Sequence, residues 1–443
     1  MAEPKRDSRE DAILLQPILE TGARFYLVVT VLLAVIAWAL FTYVLQVKRG
    51  LGITGLNRPV MWGFYITNFV FFIGISHAGT LISAILRLCN AEWRRAITRS
   101  AEVITVLVLF IGMSNIVIDI GRPDRVLYVI QHGHLRSPLL WDVISVTAYL
   151  TGSTIYLYLP LIPDIALIRD RTTKRRWFYR LLALGWQGTE RQHRWLNRGI
   201  AVMAVLVIPI AVSVHTVVSW VFGMTIQPMW HSTIFGPYFV VGAIFSGIAA
   251  LIIAMAVLRW AYHLEDYIRP VHFNNLAILL LVMTLLWFYF TFAEHLTTYY
   301  GSDPAHMMVF YAKVIGPYAF YFWAMVVCCF VIPLPLLALH RTVAGSVIAS
   351  STVLIGMWLE RFTIVVPTLV NPRLAYTRGF YHPTWVEFSL TAGCFAAFIL
   401  LYVVFSKLFP IVSVWEIQEG RKQGFEEAVE RIKGYLPGLS DGA

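Results

Sequence analysis

Residues 118–142 read IDIGRPDRVLYVIQHGHLRSPLLWD, a polar link rich in Asp, Arg and His between two apolar runs, about 98–119 and 139–162. An α-helix rises 1.5 Å per residue, so roughly 20 apolar residues cross the hydrocarbon of a bilayer, and both runs reach that length. The link is therefore a turn at a membrane face. Asp119 and Asp142 abut its apolar flanks, where a carboxylate costs several kcal/mol unless it is paired, hydrated or protonated, and this marks both as functional candidates. Arg122, Asp124 and Arg125 lie between them, where solvation at headgroup level explains them equally well.

The same pattern recurs along the chain. It has 443 residues, 58% hydrophobic and 14% charged, with mean hydropathy +0.69, which describes a polytopic membrane protein. Ten spans are expected, at about 25–47, 60–86, 98–119, 139–162, 199–222, 236–263, 274–299, 315–339, 343–369 and 384–409. An even number puts both tails, 1–24 and 410–443, on one side. That side holds most of the 35 Lys and Arg, above all in the run from Arg169 to Arg198, so both termini are expected in the cytoplasm of a bacterial inner membrane. The net charge of +10 is thus a topology signal rather than a sign of nucleic-acid binding. The link 163–198, with RDRTTKRRWFYR at 169–180, predicts a short amphipathic surface helix, and EIQEGRKQGFEEAVERIKGYL at 416–436 predicts a helix in the tail. No separate soluble domain is expected. Pro209, Pro333 and Pro335 fall inside apolar runs and predict kinks. Cys89, Cys328, Cys329 and Cys394 have no CxxC spacing, so no iron-sulfur or zinc site is expected within this chain. The start, MAEPKRDSRED, is too charged for a signal peptide, and the first apolar run reads as a retained helix.

Several polar groups lie inside the spans. Counted along the helices, His77 sits roughly 25 Å below the outer face and His215 roughly 10 Å, a gap of roughly 15 Å that speaks against a haem held by both. Glu294 and His295, and Glu360 with Arg361, approach the outer level of Asp119 and Asp142. They read either as functional groups or as a register-holding pair in which Glu360 or Glu294 neutralises Arg361. His77, in SHAGT with Ser76 and Thr80, reads either as part of a proton path or as a hydrogen bonder between close-packed helices. The link MTIQPMWHSTIFGP at 224–237 carries no charge, and Met224, Pro228, Met229, Trp230, His231 and Phe235 are expected to be exposed there as a contact surface or an aromatic belt.

Read together, WGFYITNFVFFIGISHAGTLISAILRL (62–88), IDIGRPDR, SPLLWD, SVHTVVSW, HSTIFGPYFVVGAIFSG and GMWLERF resemble the NrfD-type membrane subunits of the polysulfide reductase family. The likeness is greatest to the ten-helix members of alternative complex III and menaquinone reductase complexes. It implies an all-α integral membrane protein of two four-helix bundles, about 60–222 and 236–369, plus two extra helices. It further implies a subunit without haem or iron-sulfur cluster, active only within an oxidoreductase complex. Such a subunit binds a quinone, menaquinone or ubiquinone, handles its protons, and exchanges electrons with an iron-sulfur subunit on the outer face. A second NrfD-type subunit and cytochrome c subunits are further implied partners. By motif, Asp142 matches the family's LWD acid, and Asp119 stands where complex III members carry His. Ser219, Trp220 and Val221 stand where those members carry a further Asp. Asp119, Asp142 and His215 are the expected proton-exchanging groups, with Arg122 and Arg361 at the ring. His77, Ser76, Thr80, Glu294 and Glu360 form the expected proton path. The rival readings are a membrane anchor without quinone chemistry and a secondary transporter, whose charges would lie at the midplane of an inverted repeat.

Overall fold

The computed structural model describes residues 14, 18, 21–172, 175–374 and 379–421. Among them, ten helices are long and apolar enough to cross a membrane: α1 (Ala23–Arg49), α2 (Phe64–Leu88), α3 (Thr98–Asp119), α4 (Pro138–Arg171), α5 (Glu190–Gly223), α6 (Phe235–Tyr262), α7 (Pro270–Gly301), α8 (Ala319–Leu339), α9 (Val343–Val370) and α10 (Trp385–Leu408). All ten expected spans are present. Hydropathy reports the hydrocarbon crossing rather than the helix, so it misjudges helices that run on into water. The link expected at 163–198 shrinks to 172–189 because α4 continues to Arg171 and a capping box of Thr189 and Gln192 starts α5 at Glu190. Within that link Arg176–Leu182 forms the expected short helix. Of the helix expected at 416–436, only the start is described, with 414–421 helical. Most of the 1–24 tail lies outside the described residues.

Helices α2 to α5 pack together, α4 on α5 and α2 on both α3 and α5. Helices α6 to α9 form the second group, with α9 against α6 and α8. The two groups meet through α6, which also lies on α2 and α5, and through α9, which lies on α2, while α10 packs along α1 and against α3. We call the face carrying the links 50–63, 120–137, 224–234, 302–318 and 371–384 the distal face, and the face where the chain enters α1 and leaves α10 the terminal face.

Two spans depart from regular α-helix. In α2 the helix is interrupted at Ser76, and its carbonyl accepts hydrogen bonds from Thr105 Oγ1 at 2.6 Å and Tyr149 Oη at 3.0 Å. Side chains of α3 and α4 thus do for the broken turn what lipid cannot. In α8 a π-helical segment, Val327–Val331, precedes Pro333, whose ring supplies no N–H donor. Pro209 remains inside continuous α5.

Gly79 permits the contact between α2 and α3, since a Cβ there would lie 1.8 Å from the Ala101 carbonyl oxygen and 2.2 Å from Thr105 Oγ1. Gly79→Leu should therefore force the helices apart and lower stability by roughly 1–3 kcal/mol, read as a lower thermal midpoint in detergent. Gly152→Ala, whose nearest new neighbour is 3.8 Å away, should leave the midpoint unchanged.

Candidate functional site

Because α2 restarts after Ser76, His77 opens its second half with the ring turned toward α5. Its Nε2 lies 2.9 Å from the carbonyl oxygen of Ala211. A carbonyl only accepts, so Nε2 carries the proton, and Nδ1 is left buried without a partner. His215 lies one turn beyond Ala211 on α5. The two imidazoles are in contact, with centroids 3.8 Å apart and planes at 72°, and neither ring nitrogen of His215 has a hydrogen-bond partner.

This overturns the expected difference in depth. Side chains on a helix lean toward its N-terminus, so on antiparallel α2 and α5 the two histidines lean toward each other along the membrane normal. Helix α2 also begins at Phe64 rather than near residue 60, which shortens the count to His77. The depth argument against a shared haem falls with it. Ring contact replaces it, since imidazoles this close leave no iron-sized gap between them.

Arg361 approaches from α9 and lies beside Gly74, three residues before His77 on α2. Its guanidinium carbon sits 4.8 Å over the ring of Phe239, and a Cβ on Gly242 would lie 2.7 Å from Nη2. The glycine makes room for the charge. Nη1 is 3.0 Å from Glu360 Oε2, so Glu360 is the counter-ion that the sequence left open between Glu360 and Glu294. None of the guanidinium nitrogens makes a hydrogen bond, although Arg361 is only 1% exposed. Glu360 Oε1 accepts from Trp287 Nε1 at 2.6 Å. Glu294 instead faces Lys313, which the short distal helix Pro304–Val314 inserts into a small cavity shared with His295, Tyr238 and Glu360. Burial pushes the Lys313 ammonium down to about 8, against the opposing pull of Glu294 and Glu360.

A column of hydroxyls and carboxylates runs from His77 toward the terminal face. Tyr149 donates to the Ser76 carbonyl and so accepts from Thr80, whose Oγ1 is 2.6 Å away. Further along, Ser83 donates to Glu102 Oε1 at 2.6 Å and lies 3.2 Å from the Tyr156 hydroxyl. Tyr149, Tyr156, Glu102 and Lys313 are absent from the sequence-derived set. The first two were legible as an i, i+4, i+7 face of α4, where Asp142, Val146, Tyr149, Ser153 and Tyr156 are all buried. Glu102 and Lys313 gave no such signal, because each meets its partner, Ser83 or Glu294, only through the packing of two successive helices.

The remaining predicted residues are dispersed. Asp119 and Asp142 each keep one buried carboxylate oxygen without a partner, and among the described residues no hydrogen bond or ion pair joins them. Asp119 ends α3 beside Gln46, whose side chain donates to the Ile118 carbonyl at 2.9 Å and accepts from Tyr65 at 2.7 Å. Asp142 heads the buried face of α4. Arg122 is 60% exposed and pairs with Asp124 at 3.1 Å, away from the histidines.

The 224–237 link also requires a correction. Of the six residues expected to be exposed, Pro228, Met229, Trp230 and Phe235 are buried and only Met224 and His231 are exposed. Trp230 donates to the Ile364 carbonyl at 3.0 Å and packs on Trp62 and Phe222, so it plugs the distal end between the helix groups. Next to it, a cavity of about 320 Å³ lies between the ends of α5 and α6, lined by Ser219, Trp220, Gly223, Trp230, His231 and Gly236. Ser219 is one helical turn from His215, so this cavity approaches the buried centre from the distal side.

Comparison with known proteins agrees with this architecture. The profile of the family described as polysulphide reductase, NrfD, matches residues 52–372. The chain is 27% identical over 430 residues to a putative dimethyl sulfoxide reductase membrane subunit of Halobacterium salinarum, covering 91% of this chain and 95% of the relative. It is 24% identical over 396 residues to a selenate reductase subunit of Mesobacillus selenatarsenatis, covering 83% and 90%. It is also 23% identical over 434 residues to the Hdr-like menaquinol oxidoreductase integral membrane subunit of Archaeoglobus fulgidus, covering 92% and 99%. With the family profile spanning the region from the link before α2 to the end of α9, and with ten apolar helices in place, the chain belongs to the NrfD polysulphide reductase family.

Proposed function

We propose that this chain is the quinone-binding membrane subunit of a multi-subunit oxidoreductase of a bacterial inner membrane, with its distal face outward. The observation that carries the reading is the buried centre of His77, His215 and Arg361. Nδ1 of His77, both ring nitrogens of His215 and the guanidinium nitrogens of Arg361 lack hydrogen-bond partners, and Ser219, one turn from His215, lines a cavity at the distal end. Buried polar atoms in a folded protein nearly always have partners, so a cluster of orphans marks a place where water or a ligand belongs. The names of the similar proteins support it, since two are named as reductase subunits and one as a menaquinol oxidoreductase membrane subunit.

The cavity of about 320 Å³ is within the size of small-molecule sites, about 300–1,000 Å³, and suits a quinone ring entering from the bilayer between α5 and α6. A quinone supplies two-electron, two-proton chemistry. The chain must therefore hold and move protons at the ring and leave electrons to a partner. His231 donates Nδ1–H to the Gly223 carbonyl at 3.0 Å, which leaves Nε2 for a ring oxygen. Asp119, Asp142 and His215 serve as proton-exchanging groups, and Arg361 stabilises negative charge as it develops. His77, Ser76, Thr80 and Tyr149 begin the path toward the terminal face, while Glu294 and Glu360 with Lys313 form a second reservoir of charge. Electrons come from an iron-sulfur subunit docked on the distal face. Its landing site is the 120–137 link, where Leu127, Tyr128, Ile130 and Leu135 are exposed among Arg122, Arg125 and Arg136.

The purified complex should contain tightly bound quinone, and a complex that contains none is an anchor or a transporter. Gly236→Leu fills the cavity without a backbone clash, since a Cβ there first meets Ser219 Oγ at 3.6 Å, and it should strip the quinone while the complex stays assembled. Asp142→Asn should keep quinone and assembly but lower quinone-coupled turnover about 10²-fold; unchanged turnover removes Asp142 from the mechanism. Leu127→Glu with Leu135→Glu should release the iron-sulfur subunit during purification, and an intact complex would place docking elsewhere.

A further inference from the structure

Directly beyond α10 the described residues stay on the protein. Residues 410–417 form a strap across the terminal end of the α2–α5 group, with Pro410, Ile411, Val412, Ser413, Val414 and Glu416 buried. Asp164 of α4 accepts the backbone N–H groups of Val414 and Trp415 at 3.1 and 3.0 Å, and pairs with Arg99 of α3. Arg99 also donates to Ser413 Oγ at 3.0 Å, and Trp415 Nε1 to the Pro160 carbonyl at 2.8 Å. The strap is thus fastened at several points that do not involve Glu416. The Glu416 carboxylate is buried beside them between Arg87 of α2 and Arg94, with Arg95 on its carbonyl.

The position of Glu416 gives it another use. On one side lies a vestibule of about 400 Å³ at the terminal face, lined by Arg87, Arg94, Asn197, Trp415, Glu416 and Glu419. On the other lies the end of the polar column, Tyr156, Ser83 and Glu102. Arg87, which pairs with Glu416, lies one helical turn beyond Ser83 on α2, so it joins the strap to the end of the column where Ser83 holds Glu102. The groups facing Glu416 are Arg87 from α2, Arg94 and Arg95 from the following link, Arg99 and Glu102 from α3, Tyr156 from α4, and Glu419 from the strap's own helix.

We propose that the strap is the terminal-face gate of the polar column and that Glu416 is its entrance residue, relaying protons between vestibule water and Glu102. A proton from water adds to the Glu416 carboxylate and passes to the Glu102 carboxylate, and Glu416 returns to its ion pairs with Arg87 and Arg94. Reversed, the same steps release a proton. Burial tends to raise the Glu416 carboxyl, but Arg87 and Arg94 outweigh it and hold it below its usual value, so it rests ionised and able to accept. The inference deepens the proposed function and rests on it.

The test uses the purified complex in liposomes, with quinone content, quinone-coupled turnover and side-selective proton uptake read separately. Glu416→Gln and Glu102→Gln should each retain wild-type quinone content but slow proton uptake from the terminal side about 10²-fold. Glu416→Asp should recover part of the rate, and Glu265→Gln, exposed on the same face, should change nothing. Wild-type uptake in Glu416→Gln overturns the proposal. Loss of quinone together with uptake in that variant also overturns it, since Glu416 would then support only the fold. A wild-type complex free of quinone overturns the proposed function and this inference with it.

Discussion

A guanidinium held away from water needs a counter-charge and space, and Arg361 obtains both by drawing four helices to one point. Glu360, its neighbour on α9, supplies the charge and is itself held by Trp287 of α7. Phe239 and Gly242 of α6 supply a ring face and a gap, and Gly74 of α2 lies just beyond. An unpaired charge there would cost several kcal/mol, so the register of α9 against α6 and α7 is tied to this contact. It also sets the guanidinium beside Gly74, three residues before His77, and so joins the second helix group to the histidine-bearing α2 of the first.

The two ends of the molecule treat their polar groups differently. At the terminal face the buried charges are matched: Arg99 with Asp164, Arg87 and Arg94 with Glu416, Ser83 with Glu102. At the centre and toward the distal face Arg361 and Glu360 answer each other, but Asp119, Asp142 and Glu294 each keep a buried oxygen, and His215 both ring nitrogens, without a hydrogen-bond partner. Matched charges build a frame, while unmatched ones are the groups left to meet water, protons or a ligand. The break of α2 at Ser76 lies between the two regimes, and its carbonyl is the point where α2, α3 and α4 share hydrogen bonds.

The fold was largely legible because a bilayer imposes a length on every crossing. Span α3 was read to the residue, and the others were found with ends that differ mainly where helices run on into water, as for α4 and α5. Motif resemblance named His77, His215, Arg361 and Asp142. It did not tell that the first three converge or that Trp230 faces inward.

Sequence alone determined what depends on counting along one chain: ten apolar crossings, their order, the link residues between them and the charge asymmetry of the two faces. Only the tertiary structure decided which residues meet, because helix tilt and the lean of side chains toward each N-terminus shift contacts by a turn or more relative to residue counts. His77 and His215 were separated by that count and touch in the fold. Met229 and Trp230 looked like a water-facing surface and are buried, since the link folds back onto Trp62, Phe222 and the Ile364 carbonyl. Lys313 and Glu102 acquire their settings from the helix before them and Glu416 from Arg87, 329 residues earlier, and no local pattern carries that information.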